Sequence, residues 1–268
     1  MTATDPPSDA SRIDRERDWH DRRFTKAPDR SAPLSRATKA MTLDALGVVY
    51  GTAKARCAGA RVLDYGCAEG QAALLLHSYG AAAVHGIDIS PVAVRHAADR
   101  ATAAQAVNVT FEVMNAEQLA FPDGHYDLIF GIGILHHLNL PRALGEIARV
   151  LTSSGSAVFL EPMAHNPLIN LVRHLTPHTR TEDEHPLTMT DLRETREFFG
   201  CVDLRFVNLA TLAAAPLALT GLPGTRGLHK GLSALDRLLL RVPGINRFAW
   251  NVILTLEQPK QPGHAAGA

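Results

Sequence analysis

The sequence predicts an α/β fold, in which a mostly parallel sheet of seven strands is flanked by helices and carries a helical cap. Short β-type runs alternate with helical segments from residue 60 onward, and this alternation is typical of βαβ units. A glycine-rich turn directly follows the first of these runs. The length of 268 residues suits one large α/β domain with a cap.

Seven segments are predicted as strands, because each is a short run of apolar and β-branched residues. In chain order they span residues 61–65, 82–88, 109–113, 126–131, 156–161, 202–207 and 247–256. The first five are separated by stretches long enough for crossover connections, so these strands are expected to be parallel.

Helices are predicted between the strands from caps and apolar periodicity. Ser90 followed by Pro91 is typical of an N-cap with proline at the first helical position, and this helix runs toward Gln105. Asn166 followed by Pro167 has the same pattern. The remaining predicted helices span residues 71–79, a segment that begins at Pro141, and residues 190–199 and 232–240.

Four regions are expected along the chain. Prolines and mixed charges predict a flexible arm, although the near-helical spacing of Trp19, His20 and Phe24 also fits an arm that folds over a pocket. The long apolar stretch between the last two strands favours a cap over a site, since few plain connections are that long. The regions are an arm at 1–40, the core at 41–162, the last strands with the cap (162–200 and 208–245) at 163–258, and a disordered tail at 259–268.

Charge and composition argue against several classes of protein. The 27 basic and 27 acidic residues give zero net charge, whereas proteins that grip nucleic acid need a broad cationic surface. No apolar run is long enough for a secretory signal or a membrane span, because Thr211, Pro216 and Thr220 interrupt the most apolar stretch. The three cysteines form no CxxC pair, which fits a cytoplasmic protein.

The most informative stretch is residues 62–70, Val-Leu-Asp-Tyr-Gly-Cys-Ala-Glu-Gly. Gly66, Ala68 and Gly70 lie between a strand and a helix, where small residues let the backbone approach a ligand and the helix N-terminus offers free N–H groups. Asp88 ends the next strand, and a carboxylate there can accept hydrogen bonds from both hydroxyls of a ribose. By itself this pattern also fits a dinucleotide site.

This stretch resembles motif I of the class I, Rossmann-like methyltransferases that depend on S-adenosylmethionine, with Ala68 in place of the middle glycine. Further motifs follow in the family's order up to Pro162. Among them, Asn115 stands where the family has an aspartate beside the adenine amino group, and its side-chain oxygen could accept the same bond. The resemblance implies these cofactor contacts: Asp64, Gly66, Ala68, Gly70, Asp88, Ile89, Asn115, Ala116 and Gly131.

The resemblance implies methyl transfer from S-adenosylmethionine to a small, partly hydrophobic metabolite, as in bacterial quinone and natural-product pathways. Such a protein mainly orients the acceptor and excludes water, and a base helps when the acceptor is a hydroxyl. Histidines near the expected site favour oxygen as the methylated atom, while nitrogen and carbon stay open. The alternatives are a non-methylating relative, such as a cyclase or binding protein, and an NAD(P)-dependent oxidoreductase.

Four side chains are candidates for a catalytic base. His136 and His137 follow the fourth strand, Glu161 ends the fifth, and His165 comes soon after. The alternative for the histidines is packing, and for Glu161 it is hydrogen bonding to the backbone of a loop. The candidates for substrate contact are Trp19, Arg173, Arg180 and His185.

No metal is expected. Residues 178–186 are rich in ligand-capable groups, but their spacing is not diagnostic. Metal-dependent catechol-type methyltransferases have acidic and amide ligands where this chain has Gly131 and Glu161-Pro162. The sequence also lacks the Pro-Pro-aromatic and Pro-Cys motifs of nucleic-acid methylases, which favours a small-molecule substrate and no nucleic-acid partner. The oligomeric state stays open, with a homodimer as one option.

Overall fold

The computed structural model describes residues 9–25, 33–177, 180–181, 183–214 and 225–260. Within these ranges the helices are α1 (Asp9–Thr25), α2 (Pro33–Cys57), α3 (Gln71–Ser78), α4 (Pro91–Ala103), α5 (Leu140–Val150), α6 (Pro167–Leu175), α7 (Met189–Phe198) and α8 (Thr225–Leu239). The strands are β1 (Arg61–Tyr65), β2 (Ala83–Asp88), β3 (Val109–Val113), β4 (Tyr126–Ile132), β5 (Leu151–Pro162), β6 (Phe199–Val207) and β7 (Asn251–Pro259).

The seven strands form one sheet in the order β3-β2-β1-β4-β5-β7-β6. The pairs among β1 to β5 are parallel, and β7 runs antiparallel to both β5 and β6. The predicted mostly parallel sheet is therefore confirmed. Because β1, β2 and β4 all end at the same edge, the loops that follow them lie side by side there.

Caps that the sequence predicts are present. The Ser90 hydroxyl accepts a hydrogen bond from the backbone N–H of Ala93 at the start of α4. The Asn166 side chain accepts one from the backbone N–H of Ile169 at the start of α6. Each cap satisfies an N–H group that the helix itself leaves unpaired.

The sheet separates two apolar cores, because alternate residues of each strand point to opposite faces. Leu63 and Ile129 belong to the core beneath α5. Val62 and Leu128 belong to the core beneath α2, on the other face. The strands are thus buried on both faces, as expected for parallel strands between layers of helices.

Several strand boundaries differ from the prediction: β6 begins at Phe199 rather than at 202, and the starts of β5 and β7 differ more. β5 begins at Leu151 rather than at 156, and its first residues, Thr152 to Gly155, are polar and resemble a turn in sequence. The register between β4 and β5 shifts here, which lets this polar segment continue the strand. β7 begins at Asn251 rather than at 247, after a 3₁₀ turn at Asn246–Phe248.

The N-terminal region differs from the predicted flexible arm. Asp9–Thr25 is an α-helix, and α2 crosses the expected boundary at residue 40. Composition predicted the arm, whereas contacts with distant parts of the chain hold α1 in place. At the other end β7 runs to Pro259, so the predicted tail begins later, and residues 261–268 lie outside the described ranges.

The described parts of the predicted cap at 208–245 do not support a position over the cavity described below. These parts, a 3₁₀ turn at Ala210–Ala214 and helix α8, lie beside α2 and β6, and none of them lines that cavity. Asp236 on α8 holds them together, because its carboxylate accepts hydrogen bonds from the Thr211 hydroxyl and from backbone N–H groups of the turn. None of the described helices is both long and apolar enough to cross a bilayer.

Candidate functional site

A cavity of about 360 Å³ lies between the carboxyl edge of the sheet and helix α1. Its size is within the range of small-molecule and cofactor sites. Its walls come from α1 and from the segments that follow β1, β2, β3 and β4, with Glu184 contributed by the loop before α7. Ligands of open α/β sheets bind at such an edge, outside the carboxyl ends of the strands.

The glycine-rich turn forms one wall of the cavity through Gly66 and Ala68. A Cβ atom at Gly66 would lie 2.9 Å from the Ile134 side chain, so the position requires glycine. Ala68 has a φ of +45°, in the left-handed region that favours glycine. The third member of the pattern, Gly70, is not part of the cavity wall and packs against Phe111 instead.

Asp88 connects two of the loops that surround the cavity. One carboxylate oxygen accepts a hydrogen bond from the backbone N–H of Ala68 at 2.9 Å, and the other accepts one from the N–H of Ser90 at 2.9 Å. Burial raises the pKa of Asp88, while these backbone bonds oppose the rise. Each oxygen keeps a lone pair, so the carboxylate can also accept bonds from the two hydroxyls of a ribose.

Asn115, Ala116 and Ile89 lie in the cavity wall, as the resemblance implies. The Asn115 oxygen accepts a hydrogen bond from the backbone N–H of Glu117 at 2.9 Å, which leaves it one lone pair for a ligand. Met114 adds apolar surface to the same wall. This arrangement fits a purine that needs one hydrogen-bond acceptor and an apolar contact on its face.

Besides Gly70, two of the predicted cofactor contacts, Asp64 and Gly131, are not part of the cavity wall. Asp64 is 2% exposed, and burial raises its pKa to about 7, while a hydrogen bond with the backbone of Ala73 opposes the rise. Its position is beneath the glycine-rich turn. Gly131 is enclosed by Phe159 and Ile134, and the residues just after it line the cavity in its place.

Glu161 orients His136 at the cavity. One oxygen of the fully buried Glu161 carboxylate accepts hydrogen bonds from the backbone N–H groups of Ile134 and Leu135 at 2.9 Å. The other lies 2.7 Å from Nδ1 of His136. Because a carboxylate only accepts, Nδ1 carries the proton and Nε2 of the neutral ring is free to accept one. His136 is in the wall, and Nε2 lies 3.8 Å from a carboxylate oxygen of Glu184.

Helix α1 covers the cavity and is held there by ion pairs. Arg12 donates one hydrogen bond to Glu117 at 2.6 Å and another to the backbone oxygen of His137 at 3.0 Å. Arg15 donates two to Asp183, at 2.8 and 3.0 Å. The Glu117 side chain is almost fully buried, so its pair with Arg12 is shielded from solvent.

The inner face of α1 brings Glu16 and His20 to His137. A Glu16 carboxylate oxygen lies 3.3 Å from Nδ1 of His137 and 3.6 Å from Nε2 of His20. Burial by itself would raise the pKa of Glu16, but its contacts with His137, His20 and Thr181 hold the pKa well below its usual range. Glu16 is not among the site residues predicted from sequence, although Glu16 and His20 have the i, i+4 spacing of one helix face.

The other predicted site residues lie outside the cavity wall, except for Trp19, which lines it. His165 accepts a hydrogen bond of 3.4 Å from the backbone N–H of Met189. Arg173 donates to the backbone oxygen of Met163 at 3.1 Å. Arg180 does not line the cavity either.

The side chain of His185 is exposed, although its backbone N–H donates to the backbone oxygen of His136 at 2.7 Å. The neighbouring Glu184 is in the cavity wall, although it is not among the site residues predicted from sequence. Of the ligand-capable stretch 178–186, residues 178, 179 and 182 lie outside the described ranges.

Comparison with known proteins points to one family. A family model for a methyltransferase domain matches residues 62–155. The chain is 36% identical over 129 residues to 27-O-demethylrifamycin SV methyltransferase of Amycolatopsis mediterranei, a match that covers 47% of this chain and 46% of the relative. It is 36% identical over 137 residues to aklanonic acid methyltransferase DauC of a Streptomyces species, covering 46% and 60%. The chain thus matches about half the length of these curated relatives.

The fold has a counterpart among solved structures. The YcgJ protein of Bacillus subtilis superposes with a TM-score of 0.56 at 23% identity, and the match covers 81% of this chain and 98% of that one. The family match falls on β1 to β5, the part of the sheet that carries the glycine-rich turn and Asp88. Residues 62–155 therefore resemble a methyltransferase domain.

Proposed function

We propose that the chain transfers a methyl group from S-adenosylmethionine to an oxygen atom of a small, partly hydrophobic molecule, with His136 as the proton acceptor. One observation carries this proposal. His136, held by Glu161 at 2.7 Å, belongs to the wall of the same cavity that Asp88 and Ala68 line. A base and a nucleoside-binding wall thus share one enclosed space.

The cofactor-binding wall fits S-adenosylmethionine. Asp88 would hold the ribose hydroxyls, and Asn115 would accept a hydrogen bond from the adenine amino group. The small residues Gly66 and Ala68 leave room for the amino-acid part of the cofactor. S-adenosylmethionine supplies an activated methyl group on a sulfonium, so the protein needs to orient and deprotonate the acceptor.

The Glu161–His136 pair supplies the base. Glu161 is itself fixed by two backbone N–H groups, so the ring of His136 has one orientation and its Nδ1 keeps its proton. Nε2 can then remove the proton of a hydroxyl as the new O–CH₃ bond forms. General-base catalysis of this kind contributes about 10²–10⁴-fold to the rate. The role of Glu161 is to position His136.

The walls favour an acceptor with an aromatic or aliphatic body. Trp19 and Phe24 on α1 face the cavity together with Ile134 and Leu138. The two curated relatives are named as methyltransferases of rifamycin-type and aklanonic-acid-type molecules. By analogy with these names we propose a small, hydroxylated and partly hydrophobic acceptor for this chain. We place the reaction in the cytoplasm, where the three free cysteines stay reduced.

Release of S-adenosylhomocysteine from a panel of phenolic and hydroxylated acceptors tests the proposal. For an accepted substrate, His136→Asn should lower kcat by about 10²–10⁴-fold while calorimetry shows unchanged S-adenosylmethionine affinity. His174→Asn, at an exposed position of α6, is the matched control and should keep full activity. Cofactor binding without product from any acceptor would contradict methyl transfer, and full activity of His136→Asn would rule out the base.

A further inference from the structure

Three ligand-capable side chains meet at the α1 side of the cavity. Glu16, His20 and His137 each place one candidate ligand atom within 4.8 Å of the other two. All three line the cavity. Glu16 and His20 come from adjacent turns of one helix face, and His137 comes from the loop after β4.

Glu16 contacts His137, His20 and Thr181, but none of these contacts has the geometry of a well-formed hydrogen bond. The residue is 5% exposed, and among the described residues neither of its carboxylate oxygens has a hydrogen-bond partner of acceptable geometry. The same holds for Nδ1 of His137. A Glu16 carboxylate oxygen lies 3.3 Å from His137 and 3.6 Å from His20, and both distances exceed the roughly 2.7–2.9 Å of charge-assisted hydrogen bonds. A buried carboxylate left in this state is costly unless something else compensates its charge.

The same two distances match those between the ligand atoms of one metal ion. Ligand atoms about 2.1 Å from a tetrahedral Zn²⁺ lie about 3.4 Å from one another. The two measured distances fall on either side of that value. Two imidazoles and one carboxylate are also a common set of protein ligands for a catalytic zinc ion, with the fourth position left open.

We propose that Glu16, His20 and His137 bind one divalent cation, with zinc the best match, and that the fourth position faces the cavity. This departs from the expectation of no metal that the sequence supports. The group is assembled only when α1 docks, so the cation would also tie α1 to the loop after β4. An oxygen of the acceptor suits the open position, and only this last role rests on the proposed function.

A second group, His136, His137 and Glu184, shares one histidine with the first. We favour the first group, because Nδ1 of His136 is already bonded to Glu161 and its Nε2 lies 3.8 Å from Glu184. The choice is testable: the affinity for the cation should depend on Glu16 and His20, whereas Glu184→Gln should leave it unchanged.

Cobalt(II) titration of the full chain, stripped of metal with a chelator, provides a readout that does not need enzyme activity. One equivalent should give the intense visible bands of a low-coordinate site, and Zn²⁺ should displace it. Glu16→Gln and His20→Asn should each weaken the affinity at least about tenfold, since even outer partners of a metal ligand are worth that much. Glu197→Gln and His174→Asn, at exposed positions, are the matched controls and should bind as the wild type does.

Several results would overturn the proposal. These are no stoichiometric binding by the wild type, binding that both ligand variants keep, and binding that Glu184→Gln abolishes. Circular dichroism shows which variants fold, and if Glu16→Gln does not, His20→Asn decides by itself. Because S-adenosylmethionine affinity is measured separately, failure of the metal proposal is distinguishable from failure of the methyltransferase proposal.

Discussion

Asp88 is the residue on which the proposed cofactor site depends most directly. Its two oxygens each hold a backbone N–H from a different loop, so the carboxylate both shapes the cavity wall and can accept bonds from a ligand. The sequence predicted its place at the end of β2. Its bonds to Ala68 and Ser90 became visible only in the structure.

Replacing Asp88 with alanine should weaken the binding of S-adenosylhomocysteine at least tenfold. The reason is the loss of hydrogen bonds to a charged acceptor, of which each contributes roughly 1.5–3 kcal/mol. Isothermal calorimetry measures the change, and Asp99→Ala, at an exposed position of α4, is the matched control. An unchanged affinity would contradict the role of Asp88 in holding the ribose.

Asp64 should make the stability of the cofactor-free protein depend on pH. Its pKa rises from 3.8 to about 7 on folding because of burial, so the folded state binds more protons than the unfolded state between these values. The free energy of unfolding should therefore fall by at most about 4 kcal/mol as the pH rises from about 4 to 7, and it should stay level at higher pH.

Asp64→Asn should remove that pH dependence, because the amide cannot ionise and still has an oxygen to accept the N–H of Ala73. Urea unfolding gives the free energy of unfolding of the variant and of the wild type. The variant's free energy relative to the wild type's should be higher near pH 8 than near pH 4. Asp99→Asn is the matched control and should leave the pH dependence of the free energy of unfolding as it is in the wild type. Identical pH profiles for wild type and Asp64→Asn would show that Asp64 keeps an ordinary pKa.

At the scale of elements, the turn after β1 has one non-glycine residue, Ala68, in the left-handed backbone region. Ala68 has a φ of +45° between Gly66 and Gly70, which also have positive φ values. An alanine in this region costs roughly 1–2 kcal/mol, whereas glycine adopts it freely but loses more entropy on folding. The backbone conformation at position 68 is therefore more strained with alanine than it would be with glycine.

Ala68→Gly should stabilise the protein by up to about 1 kcal/mol, the difference between the relieved strain and the added entropy loss. Urea unfolding of the cofactor-free protein measures it. Ala72→Gly, inside helix α3, is the contrasting control and should destabilise by about 1 kcal/mol. Equal destabilisation by both changes would mean that Ala68 is not strained.

Helix α1 is the element that closes the cavity. Its attachment depends on charged contacts with distant residues, among them the buried pair of Arg12 and Glu117. Without Arg12, the buried Glu117 keeps the backbone N–H of Asn139 at 2.8 Å and Arg142 at 4.0 Å but loses its nearest positive charge. Breaking a buried pair costs up to about 3–5 kcal/mol. Because α1 has few contacts with the two cores, we expect this cost to release the helix rather than to unfold the sheet.

Arg12→Ala should detach α1. Limited proteolysis should then cut within residues 9–25 faster than in the wild type, and the fluorescence of Trp19 should shift to the red as the ring meets water. Arg17→Ala is the matched control, because Arg17 pairs with Asp14 on the outer surface of the same helix. Equal cleavage rates for the two variants would show that the Arg12–Glu117 pair does not hold α1.

For the whole molecule, the central sheet couples the two cores. Each central strand gives alternate side chains to both, so neither core can be lost while the strands stay paired. We therefore expect residues 33–260 to unfold in one cooperative transition. In calorimetry the van't Hoff and calorimetric enthalpies should agree for the main peak, and two separate peaks of comparable size would contradict the coupling.

From residue 60 onward, the sequence by itself determined the succession of strands and helices along the chain, the glycine-rich turn and the acid at the end of β2. These follow from local periodicity and from backbone needs at single positions. The sequence also placed His136 and Glu161 among the candidates. It did not show that Glu161 orients His136, since two residues 25 positions apart meet only through the pairing of β4 with β5.

Only the tertiary structure decided what covers the cavity. The sequence predicted a flexible arm at residues 1–40, left open an arm that folds over a pocket, and favoured a cap near residues 208–245. In the structure α1 lies over the cavity, and α8 packs beside α2. Glu16 reaches His137 from 121 residues away. Such contacts depend on which surface a helix docks against, a choice set by ion pairs and shape across the whole molecule rather than by local sequence.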